Sequence, residues 1–118
     1  MSRDRTLGDL GTSVVYEDDR LRVWRLKLAP GEESAIHRHE LDHLLIQVQG
    51  DRIAVVPEPD TEGPYRDELA ADVVPGAVVH VTRGGIERAR NVGEMTYLEI
   101  IVELKEDSAH KTTASDSG

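Results

Sequence analysis

The chain of 118 residues contains no cysteine. This absence excludes a disulfide scaffold, thiolate-bound zinc or iron–sulfur sites, and a cysteine nucleophile. Phenylalanine is also absent, and the aromatic residues are one tryptophan and three tyrosines. So few rings leave little surface on which nucleic-acid bases could stack.

Positive charge is scarce as well. Lysine and arginine total 14 against 23 aspartates and glutamates, which gives a formal net charge of −9. Because nucleic acids and anionic membranes attract basic surfaces, we expect neither as a partner. No apolar run approaches the roughly 18 residues of a membrane-spanning helix, and residues 1–11 lack the apolar core of a signal peptide. We therefore expect a cytoplasmic, single-domain protein.

The apolar residues alternate over short segments bounded by turn residues, a pattern typical of β-strands. No segment combines helix caps with an apolar stripe at helical spacing. The sequence therefore predicts an all-β sandwich or barrel. Gly50 and Asp51, between two predicted strands, indicate a tight hairpin turn. The predicted strands are 12–17, 21–28, 41–49, 52–56, 68–74, 77–82, 86–91 and 95–104.

The domain is expected to span residues 1–104. Residues 105–118 are polar and lack any periodic apolar pattern, so we expect a disordered tail. His110 falls in this tail, away from the other histidines.

Segment 41–49 has two unlike faces. Leu44, Ile46 and Val48 make one face apolar, whereas the other face carries His43 and Gln47. In a simple sandwich the apolar face would be the core. In a barrel with a polar cavity that face lies outside, where a second sheet or a partner subunit must cover it.

Segment 95–104 alternates in the same way. We expect its apolar residues to form the core side, so that Tyr97 and Glu99 face away from the core. The apolar set is Leu98, Ile100, Val102 and Leu104.

Three of the five histidines lie within seven residues, at His37, His39 and His43. Spacings of two and four place all three side chains on one side of an extended segment. Neutral imidazoles converging on one face suit a borderline transition metal. The alternatives are a solvated histidine-rich loop and hydrogen-bonded core histidines.

These histidines stand in a pattern that resembles the first cupin motif, G-x5-H-x-H-x3-E-x6-G. The pattern begins at Gly31, continues through His37 and His39, and ends at Gly50. His43 stands where the motif has glutamate. The resemblance implies a double-stranded β-helix, that is, a jelly-roll barrel.

A second segment resembles the other cupin motif, G-x5-P-x-G-x2-H-x3-N. Gly76, Gly84 and Asn91 match it, whereas Glu87 stands where the motif has histidine and Thr82 where it has proline. The two motifs span residues 31–91, about half of the chain. The residues around the two motifs are similar to those of small single-domain bacterial cupins. Some of these cupins are assigned to β-alanine degradation, an activity that we do not transfer to this chain.

The resemblance implies one divalent transition metal per chain, with the histidine and glutamate positions of the motifs exchanged. The implied ligands are His37, His39, His43 and Glu87. Alternation supports Glu87, because the neighbouring Arg88 and Arg90 would otherwise point inward; the alternative is a surface glutamate paired with an arginine. Iron or manganese is favoured, with zinc, nickel or copper as further candidates.

A metal held in this way would make the chain a mononuclear metalloenzyme acting on a small organic molecule, by an oxygenase-type or a lyase or isomerase reaction. Gln47 shares the face of His43 and is a candidate orienting group in the cavity. The alternative is a non-catalytic cupin that binds a metal or a small ligand. A metal-free sugar isomerase is less favoured, because few aromatic residues are available. The resemblance also implies a homodimer.

Overall fold

The computed structural model describes residues 6–105 and shows two antiparallel β-sheets packed face to face. One sheet has the strand order β1-β2-β9-β4-β7 and the other β3-β8-β5-β6. No helix occurs within the described range. The all-β, jelly-roll prediction is confirmed. The strands are β1 (Ser13–Glu17), β2 (Leu21–Leu28), β3 (His37–Arg38), β4 (His43–Gln49), β5 (Arg52–Pro57), β6 (Leu69–Asp72), β7 (Val78–Val81), β8 (Ile86–Asn91) and β9 (Tyr97–Leu104).

Every predicted strand has a counterpart in the structure, although several begin or end one or two residues away from the expected position. The short strand β3 was not predicted, because two residues are too few to show alternation. The prediction of a hairpin at Gly50 and Asp51 is wrong, because β4 and β5 do not pair with each other. Strand β4 pairs with β7 and β9, whereas β5 pairs with β6 and β8. This turn carries the chain from one sheet to the other, with Gly50 at φ +137°.

The core lies between the sheets. Trp24, Leu26 and Leu28 alternate inward from β2, and Ile53 faces them from the opposite sheet. The prediction that Tyr97 and Glu99 of β9 face away from the core is wrong. Tyr97 is 1% exposed and Glu99 is 8% exposed, so both point into the barrel.

Leu98, Ile100 and Val102 of β9 lie on the outside, next to the apolar residues of β4. Register partners Leu44 and Val102, and Ile46 and Ile100, stand side by side there. Val48 and Val78 keep 44% and 58% of their surface exposed. We call this surface the outer face; it comprises Leu44, Ile46, Val48, Val78, Leu98, Ile100 and Val102.

Residues 106–118 lie outside the described range, and with them His110 and nearly all of the predicted tail. Within residues 6–105, no helix has the length and apolar character required to cross a bilayer.

Candidate metal centre

The four predicted ligands reach the barrel interior from both sheets. His37 in β3 is the register partner of Glu87 in β8. His39 follows two residues after His37, and its backbone is held by the loop before β8: its amide donates to the carbonyl of Gly85 at 2.8 Å, and its own carbonyl accepts from Gly84 at 2.9 Å. His43 opens β4 in the other sheet.

Two histidines and one carboxylate converge. One ligand atom from each of His37, His39 and Glu87 lies within 4.8 Å of the others. Nε2 of His39 is 3.4 Å from Oε2 of Glu87. Both histidines are buried, and the Glu87 side chain is 12% exposed. Buried side chains of these types, gathered around one point, are able to hold a small cation after a small inward movement.

Backbone carbonyls select the tautomer of two imidazoles. Nδ1 of His37 lies 2.8 Å from the carbonyl oxygen of Ala35, and Nδ1 of His43 lies 3.0 Å from that of Leu41. A carbonyl oxygen only accepts, so each Nδ1 carries the proton and each Nε2 presents a lone pair. The same arrangement orients metal-bound histidines in proteins.

These two imidazoles are held in the neutral form. Burial, with the charge of His39 as the second cause, lowers the pKa of His37 to about 4. Burial likewise lowers the pKa of His43 to about 4, again with His39 as the second cause. At neutral pH both rings are therefore ready to bind a cation without first losing a proton.

His39 links the cluster. Its ring lies edge-on to that of His37, with centroids 4.8 Å apart, and is stacked on that of His43 at 3.9 Å and 13°. Its Nδ1 is buried and has no hydrogen-bond partner among the described residues. His43 supplies no atom to the convergent group. The structure thus brings three of the four predicted ligands together and stacks the fourth on one of them.

Glycine makes room for the carboxylate. A Cβ at Gly85 would lie 2.8 Å from Oε1 of Glu87 and 3.7 Å from Cδ2 of His39. Any side chain at this position would push the Glu87 carboxylate away from its present place. Gly84 is in the second motif, but Gly85 lies outside the motif positions, so the sequence alone did not mark it.

His37, His39 and Glu87 line a cavity of about 270 Å³ between the sheets, whereas His43 is not part of its wall. Gln47, Tyr97 and Glu99 line it as well, so the predicted position of Gln47 in the cavity wall agrees with the structure. Such a cavity accommodates a small organic molecule. Most of its wall is apolar and includes Leu26, Leu45, Ile53, Val55, Val81 and Ile101.

Three polar residues in this cavity form a hydrogen-bonded chain. Gln47 Nε2 donates to the Tyr97 hydroxyl at 3.4 Å, and that hydroxyl donates to Oε1 of Glu99. Burial, together with the charge of Glu87, raises the pKa of Glu99 to about 7. Burial and the neighbouring carboxylate also raise the pKa of Tyr97, so its hydroxyl stays protonated. Sequence reasoning missed Tyr97 and Glu99 because it assigned the wrong face of β9 to the interior.

The donor set fits a transition metal. Imidazole nitrogens with a carboxylate oxygen suit iron, manganese, zinc, nickel or copper, and suit calcium or magnesium poorly. The free lone pair on Nε2 of His37 is a further feature that a cation would satisfy.

No protein-family model matches the chain. Among curated proteins, auxin-binding protein T85 from Nicotiana tabacum is 24% identical over 91 residues, which are 76% of this chain and 48% of the relative. The chain therefore spans about half the length of the curated relative that it matches.

Solved structures share the fold. A cupin domain from Bordetella pertussis superposes with a TM-score of 0.67 at 17% identity and covers 80% of this chain and 91% of its own. A sugar phosphate isomerase from the cupin superfamily, from Silicibacter pomeroyi, gives 0.53 at 19% identity and covers 75% and 52%. These likenesses show the cupin fold. These structures do not support the similarity to cupins of β-alanine degradation, which stays a prediction.

Proposed function

We propose that this chain is a mononuclear metalloprotein of the cupin superfamily that binds one divalent transition metal through His37, His39 and Glu87, with His43 as the fourth ligand. The observation that carries the proposal is the convergence of two buried imidazoles and a carboxylate within 4.8 Å. Burial keeps the His37 and His43 rings neutral, which is the form that binds a metal.

Iron or manganese is the favoured metal. Two histidines and one carboxylate are the donors of non-haem iron oxygenases, and these ligands leave coordination positions open. Two or three neutral imidazoles and one carboxylate leave a divalent ion with one net positive charge. Zinc, nickel and copper accept the same donors, so the metal must be identified by measurement.

The proposed activity is an oxygenase-type or a lyase or isomerase reaction on a small organic substrate. When bound, the metal would act as a Lewis acid or, if it is iron or manganese, as a site for dioxygen. The chain supplies the apolar walls that exclude water and the polar residues Gln47, Tyr97 and Glu99 that orient a substrate. A catalyst of this type needs no nucleophilic side chain.

The alternative is a non-catalytic cupin that binds a metal or a small ligand. Two observations favour it: the histidine and glutamate positions of the motifs are exchanged, and His43 is stacked rather than convergent. Among proteins of this fold, the tobacco relative is named for binding auxin and the Silicibacter structure for isomerising a sugar phosphate, so both classes are represented. Substrate-dependent oxygen uptake by the iron-loaded protein would exclude the non-catalytic alternative.

Elemental analysis of protein purified without an affinity tag tests the proposal. We expect about one transition-metal ion per chain, lost in the His37→Ala/His39→Ala variant. His80→Ala is the matched control, because His80 is exposed on β7 and away from the convergent group. Absence of metal from the parent protein, even after reconstitution with each candidate ion, would overturn the metalloprotein assignment.

We also propose a homodimer formed through the outer face. Seven apolar residues form this surface on neighbouring strands, and Val48 and Val78 remain about half exposed. His80 lies beside Leu44 and Arg25 beside Ile100, so the patch is mainly apolar with polar residues along its strands. A mainly apolar patch on one face of a sheet is typical of a protein–protein contact. A second copy presents the same patch and can form a two-fold symmetric contact.

A further inference from the structure

Glu99 is a buried carboxyl group in a mainly apolar cavity. It is 8% exposed, and its side chain belongs to the cavity wall together with His37, His39 and Glu87. One of its oxygens, Oε1, accepts the hydrogen bond from Tyr97. No hydrogen bond reaches the second oxygen from residues 6–105, and this oxygen keeps some accessible surface, since His39 Nδ1 is the one fully buried side-chain polar atom without a partner in that range. An acceptor of this kind in a mainly apolar cavity takes its hydrogen bond from water or from a ligand.

The neighbours of Glu99 fix its position. The amide of Val74 donates to Oε1 of Gln47 at 2.9 Å, which determines which end of the Gln47 side chain faces Tyr97. Gln47 Nε2 then donates to the Tyr97 oxygen, so the Tyr97 proton is directed at Glu99. The chain of hydrogen bonds ends at Glu99. This is a preorganised acceptor, because each member is held by the one before it.

The acceptor lies at a different level of the barrel from the histidines. Glu99 is the register partner of Gln47, four residues along β4 from His43. The walls between the two sites are apolar, with Leu45 and Ile101 as direct register partners. A ligand that reaches both ends must therefore be polar at its two ends and apolar between them.

We propose that Glu99, positioned by Tyr97 and Gln47, determines specificity by accepting a hydrogen bond from a hydroxyl or amino group of a small ligand whose opposite end, an oxygen-bearing anionic group, binds at the metal centre. The ligand class is thus a small, mainly apolar carboxylic acid with a hydrogen-bond donor at the far end. This inference rests on the proposed metal site and adds to it the chemistry of the substrate.

The test measures binding, without any need for turnover. The full chain is loaded with zinc, which is redox-inert, and its metal content is determined first. Isothermal titration calorimetry at pH 8, where the Glu99 carboxyl is ionised and only accepts, then compares phenylacetate with 3-hydroxyphenylacetate, 4-hydroxyphenylacetate and 4-aminophenylacetate. These acids share the carboxylate and the ring and differ in the donor and its position.

We expect at least one donor-bearing acid to bind about tenfold or more tightly than phenylacetate, because a site with a buried acceptor discriminates against a ligand that leaves it unpaired. The amino and hydroxy acids show which donor is preferred. In Glu99→Gln, which presents an amide N–H towards the ligand, the preference should shrink to within about twofold while phenylacetate binding changes little.

Two further variants keep the inference falsifiable. Tyr97→Phe removes the donor that holds Glu99 and should reduce the same preference, which covers the case in which Glu99→Gln folds poorly. Glu103→Gln is the matched control: Glu103 is a buried glutamate of the same strand, but it is hydrogen-bonded to Trp24 and Arg22 and does not line this cavity. Its preference should equal that of the wild type.

The outcomes separate the two proposals. If zinc binds but no acid does, or if the preference is absent from the wild type or survives in Glu99→Gln, the role assigned to Glu99 is wrong and the metal site stands. If zinc does not bind, the titrations are made with whichever of manganese, nickel or copper does; if none of the candidate ions binds, the metal-site proposal fails, and the inference that rests on it fails with it.

Discussion

His37 and Glu87 are direct register partners across the β3–β8 pair, although 50 positions separate them in the sequence. This pairing places an imidazole and a carboxylate on the same side of one sheet, because directly paired residues project to the same face. His39 joins them through its backbone bonds to Gly84 and Gly85. The convergent group is therefore built on one sheet, and His43 approaches it from the other.

The first prediction concerns the unequal contribution of the histidines. We expect His37→Ala to reduce metal affinity by about 100-fold or more, and His43→Phe to reduce it by only about tenfold. The reason is that His43 supplies no atom to the convergent group, and phenylalanine keeps a ring against His39. Competition with a fluorescent chelator measures both affinities. Equal losses in the two variants would show that His43 binds the metal as strongly as His37 does.

A second prediction concerns Gly85. Replacement by alanine places a methyl group 2.8 Å from Oε1 of Glu87. The carboxylate is the end of a flexible side chain, so it can move, and the loss should appear in metal affinity, by about tenfold, more than in stability. Gly76→Ala is the control: Gly76 has φ +90° and open space around it. That variant should lose about 1 kcal/mol of stability and keep its metal affinity. The reverse pattern would contradict the role assigned to Gly85.

How far the sequence predicts this site depends on what local spacing can show. The spacing of His37 and His39 places both on one side, and alternation with Arg88 and Arg90 correctly turns Glu87 inward. Spacing does not determine how an imidazole is rotated, so the stacking of His43 on His39 could not be foreseen. That contact depends on packing between the two sheets.

The inward face of β9 could not be predicted for a different reason. Alternation distinguishes two faces of a strand without stating which one is inside. The apolar face was assigned to the core because apolar residues are usually buried. In this barrel the cavity is partly polar, so Tyr97 and Glu99 point inward and Ile100 and Val102 point outward. The same inversion was already visible in β4, where Leu44 and Ile46 are the outer residues.

A third prediction follows from the raised pKa of Glu99. Its carboxyl has a pKa of about 7 in the fold against an ordinary value of 4.5. Between these values the unfolded chain has released the proton that the folded chain retains, so stability falls as pH rises from about 4.5 to about 7. The Glu99→Gln variant has no ionisable group at this position, so its stability does not fall with pH for this reason. Relative to the wild type, the variant should gain about 3 kcal/mol of unfolding free energy between pH 4 and pH 8.

Urea denaturation of the metal-free proteins at both pH values measures this difference. Glu103→Gln serves as the comparison, because Glu103 is buried on the same strand and bonded to Arg22 and Trp24. A Glu99→Gln variant whose stability follows that of the wild type at both pH values would mean that Glu99 ionises in the fold at its ordinary pH.

The last prediction concerns the outer face. Ile46 lies near its centre, flanked by its register partners Val78 on β7 and Ile100 on β9. If two copies pair through this surface, Ile46→Glu buries a charge in an apolar contact, which is unfavourable without a partner of opposite sign. We expect the wild type to sediment as a dimer at micromolar concentration and the variant as a folded monomer. Arg90→Glu, which changes an exposed residue of the other sheet, should remain dimeric. A monomeric wild type would overturn the dimer proposal, whereas a dimeric Ile46→Glu variant would place the contact on another surface.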